Sequence, residues 1–326
     1  MADLTMIEAV CLALERALEE DPTVMLFGED IGANGGVFRA TDGLAGRFGT
    51  ERVRDTPLAE AAIAGMAVGA AAHGLRPVAE IQFMGFLYPA LDQLANHAAR
   101  LRNRTRGRLT CPMVLRVPYG GGIHAPEHHS ESFEAMLAHV PGLRVVVPSS
   151  PARAYGLLLA AIRDPDPVVF LEPKRIYRAM REPVIDDGST IPLDHAVILR
   201  EGADVTLISW GAMLQEARAA VESLATDGVS VEMIDLSSLK PLDRTTLRRS
   251  VAKTGRCVIL HEAPLTAGLG AEIAADLAEH CLTDLLAPVR RIAPPDVVIP
   301  YLRLEAHYMP TPVRVIRTIR EVMEFS

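Results

Sequence analysis

The sequence predicts an α/β protein of two doubly wound domains. Three features carry this reading: short continuous apolar runs rich in Val, Ile, Leu and Phe, longer helical patterns between them, and one polar, turn-rich interruption near the middle. Continuous apolar strands separated by helices are the mark of a parallel sheet covered on both faces. The 326 residues exceed one ordinary core, and roughly 100 to 200 residues per domain points to two.

Taken in order, Thr5-Met-Ile-Glu8 is a capping box, in which a side-chain acceptor starts a helix and a Glu three residues on reaches back. The helix runs to about Glu20, with Ile7, Val10, Leu14 and Leu18 on one face. A strand follows over Val24 to Asp30, then a small-residue helix over Ala59 to Gly74, a strand over Val78 to Phe83 and a long helix from about Phe86 to Arg102. Strand-like PMVLRVP and RVVVPS precede the helix PARAYGLLLAAIR and the strand PVVFLEP. The stretch Arg181 to His195 has no helical period, so the boundary falls near 186, giving domains 1–185 and 186–326. The second half repeats the rhythm: VTLISWG, a helix from Leu214, VSVEMIDL, a helix from Asp243, RCVILHE, a helix from Gly268, VRRIAP and a last helix from Thr311. Thr266 to Glu272 lacks the full G-x-G-x-x-G of a dinucleotide loop and reads as a helix start.

Hydrophobic residues make up 49% and charged residues 23%, the composition of a globular chain with a large core. The net charge of −8 gives no electrostatic reason to bind nucleic acid or an anionic membrane. Cys11, Cys111, Cys257 and Cys281 form no C-x-x-C pair, which suits a reduced cytoplasm. The N-terminus lacks the pattern of a signal peptide, and the apolar runs stay below the ~18 residues of a spanning helix.

The chemistry-bearing residues lie in loops just after strands, where doubly wound sheets place ligands. These loops are Gly28 to Asp30, Asp55 to Glu60, Glu80 to Phe86, and Gly120 to Ser132, which reads GGGIHAPEHHSES. His124, His128 and His129 in the last invite a zinc reading. Pro126 and the glycines make it a loop rather than a helix that would align positions i and i+4, and no matched carboxylate or Cys set follows.

Taken together, GEDIG, RDTPLAEAAIAGMAVGAA, EIQFMGFLYPALDQLANHAAR, GGGIHAPEHHSES, HVPGLRVVVPSSPARAYGLLLAAIRDPDPVVFLEPKR and AKTGRCVILHEAP resemble the beta subunit of the thiamine-diphosphate-dependent 2-oxo acid dehydrogenase component, of pyruvate or branched-chain type. The resemblance spans Leu4 to about Val322. It implies an N-terminal pyrimidine-binding domain, a smaller transketolase-like C-terminal domain, and an α2β2 heterotetramer whose alpha subunit holds the diphosphate through Mg2+. The absence of a GDG motif with a downstream Asn fits such a half-site chain. It further implies docking onto a lipoyl acyltransferase core.

Residue by residue, Glu60 matches the activating glutamate: a carboxyl hydrogen-bonded to the far pyrimidine nitrogen favours the imino tautomer that can accept the thiazolium proton. Glu29, Leu58, Ala59, Gln82 and Phe86 match positions around the pyrimidine, Phe83 and Phe86 line the substrate side, and His129 matches the histidine that contacts the 2-oxo acid and assists acyl transfer. His124 and His128 carry no role over. Branched-chain members often have Tyr at the place of Phe86. Backbone carbonyls of Met113, Val114, Ala161, Asp164 and Asp166 match a region that holds K+ in several members, with an ion-free turn as the alternative. The wording of the histidine loop leans to pyruvate. Acetoin dehydrogenase, a non-catalytic scaffold and a lone zinc hydrolase are the rival readings.

Overall fold

The structure, a computed structural model, describes residues 2–325 as two compact units, residues 2–119 with 136–193 and residues 120–135 with 194–325. In the first unit the capping box forms: Glu8 N donates to Thr5 Oγ1 at 3.5 Å and Thr5 N to Glu8 Oε2 at 2.7 Å. Strand β1 (Ala2–Leu4) precedes it and helix α1 (Met6–Glu20) follows, with Ile7, Val10, Leu14 and Leu18 buried.

Next come β2 (Val24–Gly28), α2 (Leu44–Phe48), β3 (Val53–Asp55), α3 (Glu60–Ala72), β4 (Arg76–Glu80), α4 (Leu101–Arg104), β5 (Val114–Tyr119), α5 (Glu134–His139), β6 (Arg144–Val146), α6 (Pro151–Arg163) and β7 (Val168–Pro173). Six of these strands lie parallel in the order β6-β7-β5-β4-β2-β3. A short strand β8 (Glu182–Val184) pairs antiparallel with β1. Every residue of β5 and β7 is buried, which is why both read as apolar runs, interrupted by Arg116 in β5 and Glu172 in β7.

The long helix expected over Phe86 to Arg102 does not form as one piece. Short 3-10 turns at Met84–Phe86 and Tyr88–Ala90 lead into a π-turn at Gln93–His97, another 3-10 turn at Ala98–Arg100 and only then α4. Pro89 has no amide to donate, and the Ala98 amide reaches back five residues to the Gln93 carbonyl, so helical period survives in the sequence while the ladder is interrupted. The expected strand Val78 to Phe83 ends at Glu80, leaving Gln82 and Phe83 in the loop.

The second unit contains β9 (Val197–Arg200), β10 (Val205–Ser209), α7 (Leu214–Thr226), β11 (Val231–Asp235), β12 (Ser238–Lys240), α8 (Arg244–Thr254), β13 (Cys257–Leu260), α9 (Leu269–His280), β14 (Arg290–Ile292), α10 (Glu305–Tyr308) and α11 (Pro312–Met323). Its sheet runs β14-β13-β10-β11-β9, parallel except for β9. Gly268 caps α9, as expected of a helix start. Val205, Leu207, Leu224, Val231, Val258, Val315 and Ile319 form its core. All four cysteines are free, and no described helix is long and apolar enough to cross a membrane.

Candidate functional site

The carboxyl ends of β2 and β4 lie side by side, with Gly28 opposite Glu80. A Cβ at Gly28 would stand 2.8 Å from the Glu80 carbonyl, so only glycine lets these strand ends come this close. That approach brings the loop after each strand together: Gln82 Nε2 donates to the Glu29 carbonyl and to Asp30 Oδ2, both at 3.4 Å. Glu29 is 6% exposed, and its Oε1 is buried with no hydrogen-bond partner among the described residues. Burial first, and then the nearby charges of Glu60 and Asp30, push its carboxyl above the ordinary value, against a hydrogen bond from the Ala59 amide.

Glu60 is the first residue of α3 and half-buried; Ala59 is the N-cap, and Leu58 before it is 80% exposed. An aromatic wall stands beside the loop after β4. Phe83 meets Phe38 edge-on at 5.5 Å and Phe86 edge-on at 5.7 Å, and Lys174 Nζ lies 5.7 Å from the centroid of the Phe83 ring. Asp55 ties down the loop after Glu29 by accepting from Gly32 N at 2.6 Å and Ala33 N at 3.1 Å.

Under this loop cluster Arg116 of β5 bridges Glu80 of β4 and Glu172 of β7. Its Nη1 donates to Glu80 Oε2 at 2.6 Å, and Nε and Nη2 donate to Glu172 at 2.6 and 2.9 Å. Tyr177 Oη adds a bond to Glu172 Oε2 at 2.6 Å. All four residues are buried. Burial pushes the Glu80 carboxyl up despite the pull of Arg116. Sequence reasoning passed over this group, although a charge inside an otherwise apolar strand is itself a signal, because it must find a partner there.

The positions matched to potassium lie elsewhere, around the amino ends of β5 and β7. The Met113 carbonyl accepts from Val168 N and the Ala161 carbonyl from Asp164 N. Arg76 Nη1 donates to the carbonyls of Ile162 at 2.8 Å and Asp164 at 3.3 Å, while the Asp166 carboxylate pairs with Arg102 and Val114 opens β5.

His129 sits in the second unit, although it lies in the first half of the sequence. Its loop is closed at the neck by Gly120 N donating to the Glu131 carbonyl at 3.0 Å. His128 and His129 end a 3-10 turn at Glu127–His129, their rings 4.3 Å apart. His124 points instead to Glu305, Nδ1 to Oε2 2.9 Å. Among the described residues no three His, Cys, Asp or Glu side chains gather into a metal-holding group.

Behind the loop Trp210 Nε1 donates to Glu134 Oε1 at 3.1 Å, and the indole stacks on His261 at 5.3 Å. Burial pushes Glu134 up to about 7 and His261 down to about 4. Glu134 therefore stabilises the fold below pH 4.5 and loses that contribution as pH rises to about 7. His261 contributes above pH 6.5 and loses its share as pH falls to about 4. Each amounts to about 3 kcal/mol, and the two oppose, so together they leave a nearly level profile. Glu134→Gln, which keeps the bond from Trp210, is expected to unmask His261: thermal unfolding should then show a loss of about 3 kcal/mol between pH 6.5 and 4 relative to the parent chain. An unchanged profile would contradict a neutral buried His261.

With fold and geometry in hand, the class is defined by two matches: the family described as "Transketolase, pyrimidine binding domain" covers residues 2–180, and "Transketolase, C-terminal domain" covers 194–315. A solved chain titled "Split gene transketolase, inactive beta4 tetramer" shares this fold, with a TM-score of 0.82 at 23% identity over 99% of both chains. The chain is 47% identical over 325 residues, 100% of both, to the pyruvate dehydrogenase E1 component subunit beta of Bacillus subtilis, and 47% identical over 322 residues to that of Acholeplasma laidlawii, covering 99% of this chain and 98% of the relative. That of Staphylococcus aureus is 46% identical over 325 residues. The chain belongs to the family of pyruvate dehydrogenase E1 beta subunits.

Proposed function

We propose that this chain is the beta subunit of a thiamine-diphosphate-dependent dehydrogenase that decarboxylates pyruvate and passes the acyl group to a lipoyl domain. The observation that carries the reading is the Glu29 carboxyl, with one oxygen unsatisfied among the described residues and its pKa raised by burial and then by Glu60, beside Gln82 and an aromatic wall at the strand ends. An acidic group in such a setting has the right donor set for a pyrimidine ring. When bound, thiamine diphosphate would supply the carbon nucleophile for 2-oxo acid chemistry. Glu60 would hold a proton at the far pyrimidine nitrogen, Phe83 and Phe86 would present ring faces and edges, Gln82, Leu58 and Ala59 would orient the ring, and Glu29 would exchange protons beside it. His129 would contact the substrate and assist acyl transfer.

The alpha subunit of an α2β2 tetramer would hold the diphosphate through Mg2+, and a lipoyl acyltransferase core would be the partner of the assembled enzyme in the cytoplasm. Potassium at Met113, Val114, Ala161, Asp164 and Asp166 would compete with the Arg76 guanidinium for the Asp164 carbonyl. The test is reconstitution with the alpha subunit and turnover of pyruvate, 3-methyl-2-oxobutanoate and acetoin side by side. Pyruvate is expected to win by at least about tenfold in kcat/KM, the order of a one-to-two-methylene discrimination. Preference for either rival substrate would replace this reading.

A further inference from the structure

The histidine loop has almost no regular structure of its own, yet its backbone is tightly specified. Gly120, Gly122 and His124 all take left-handed φ, at 89°, 81° and 57°. For glycine this is free; for His124 it carries a cost, which the surroundings must offset. The compensation comes from two carboxylates far along the chain. Glu305, at the start of α10 and 2% exposed, accepts from Gly122 N through Oε1 at 2.6 Å and from His124 N through Oε2 at 3.1 Å. The same Oε2 lies 2.9 Å from His124 Nδ1. Glu262, after β13 and 4% exposed, takes the loop at its neck: Ser132 Oγ donates to its Oε1 at 2.9 Å, and a Cβ at position 120 would stand 2.1 Å from that oxygen.

We propose that Glu305 and Glu262 are positioning residues that clamp the Gly120–Ser132 loop and so fix where His129 is presented. The inference rests on the reading of His129 as the substrate-side histidine. A buried carboxylate is costly unless donors surround it, and charge-assisted bonds to backbone amides are among the stronger ones available. Both oxygens of Glu305 are used. Glutamine at 305 would offer one acceptor and turn an amino group toward a loop amide, so the clamp would open without change of side-chain size. At 262 glutamine can still accept from Ser132, and its effect is smaller.

The test uses the reconstituted holoenzyme in four forms: parent, Glu305→Gln, His129→Ala and the double variant. Two things are measured, amide hydrogen exchange in the peptide over residues 120–126 and the rate of acyl transfer to a lipoyl domain. Glu305→Gln is expected to speed exchange in that peptide by at least about tenfold and to slow acyl transfer by about tenfold, with thiamine diphosphate affinity within about twofold of the parent. In the His129→Ala background it should slow transfer by less than about twofold, because an effect that acts through His129 disappears when His129 is gone. Unchanged exchange, or an equal slowing in both backgrounds, would overturn the clamp while leaving His129 in place. If His129→Ala alone leaves acyl transfer at the parent rate, the reading of His129 fails instead, and the clamp loses its catalytic purpose. Glu305→Asp, which retains the charge, guards against a folding defect: it should recover part of the exchange protection, and a loss equal to that of glutamine would count against the carboxylate's role.

Discussion

Glu60→Gln in the reconstituted enzyme is expected to lower pyruvate turnover by about 10²- to 10⁴-fold, the span that positioned proton transfer contributes. Glutamine has the shape of glutamate and can keep one hydrogen bond to a ring nitrogen, but it cannot share a proton with it. The loss should therefore fall on kcat, with thiamine diphosphate binding nearly unchanged. Glu60 also stands at the first position of α3, whose N-cap offers no side-chain bond. Its alternative role is to complement the helix dipole, which is worth about 0.3–1 kcal/mol of stability. That role predicts a melting shift of a few degrees and normal turnover. The two accounts thus separate on one variant: turnover within tenfold of the parent would leave Glu60 as a helix-end charge and remove the cofactor-side assignment.

The parts of this molecule that could be read from the sequence are those whose cause is local. The capping box at Thr5 and Glu8, the apolar face of α1 and the largely apolar runs of β5 and β7 follow from neighbours within a turn or a strand. The broken helix after Phe86 was not legible, because its apolar spacing persists across Pro89 and the π-turn, and spacing alone does not register a missing amide. The short antiparallel pairing of β1 with β8 joins residues some 180 positions apart and leaves no periodic trace in three residues. In the site, position after strands located the loops and the family resemblance named Glu29, Gln82 and Glu60 within them; the structure gathers Glu29 with Gln82 and places it within electrostatic reach of Glu60. Glu305 and Glu262 could not, since their partners on the histidine loop precede them by more than 125 residues and are mostly backbone amides, which have no sequence identity.

Arg116→Met is expected to destabilise the chain by about 3–5 kcal/mol, the cost of leaving buried charge without its partner. The arginine hydrogen-bonds both Glu80 and Glu172 and so joins β4, β5 and β7. Burial works against its charge, but the two carboxylates outweigh that and hold its pKa above the ordinary value. Without it both carboxyls face an apolar interior, and they must take up protons to remain there, so the loss should grow as pH rises and shrink in acid, where the protonated forms are cheaper. Tyr177, whose hydroxyl is tied to Glu172, keeps its bond in either form. Removing all three charges at once, as Glu80→Leu, Arg116→Met and Glu172→Leu, should return most of the lost stability, because a buried ionic group contributes little net over well-packed apolar side chains. Chemical denaturation of the three chains, at pH 5 and pH 8, distinguishes the cases. If Arg116→Met alone costs less than about 1 kcal/mol at pH 8, the bridge does not hold the strands; if the triple variant is as unstable as the single one, the bridge contributes stability outright, and its geometry rather than its neutrality is what the strand ends require.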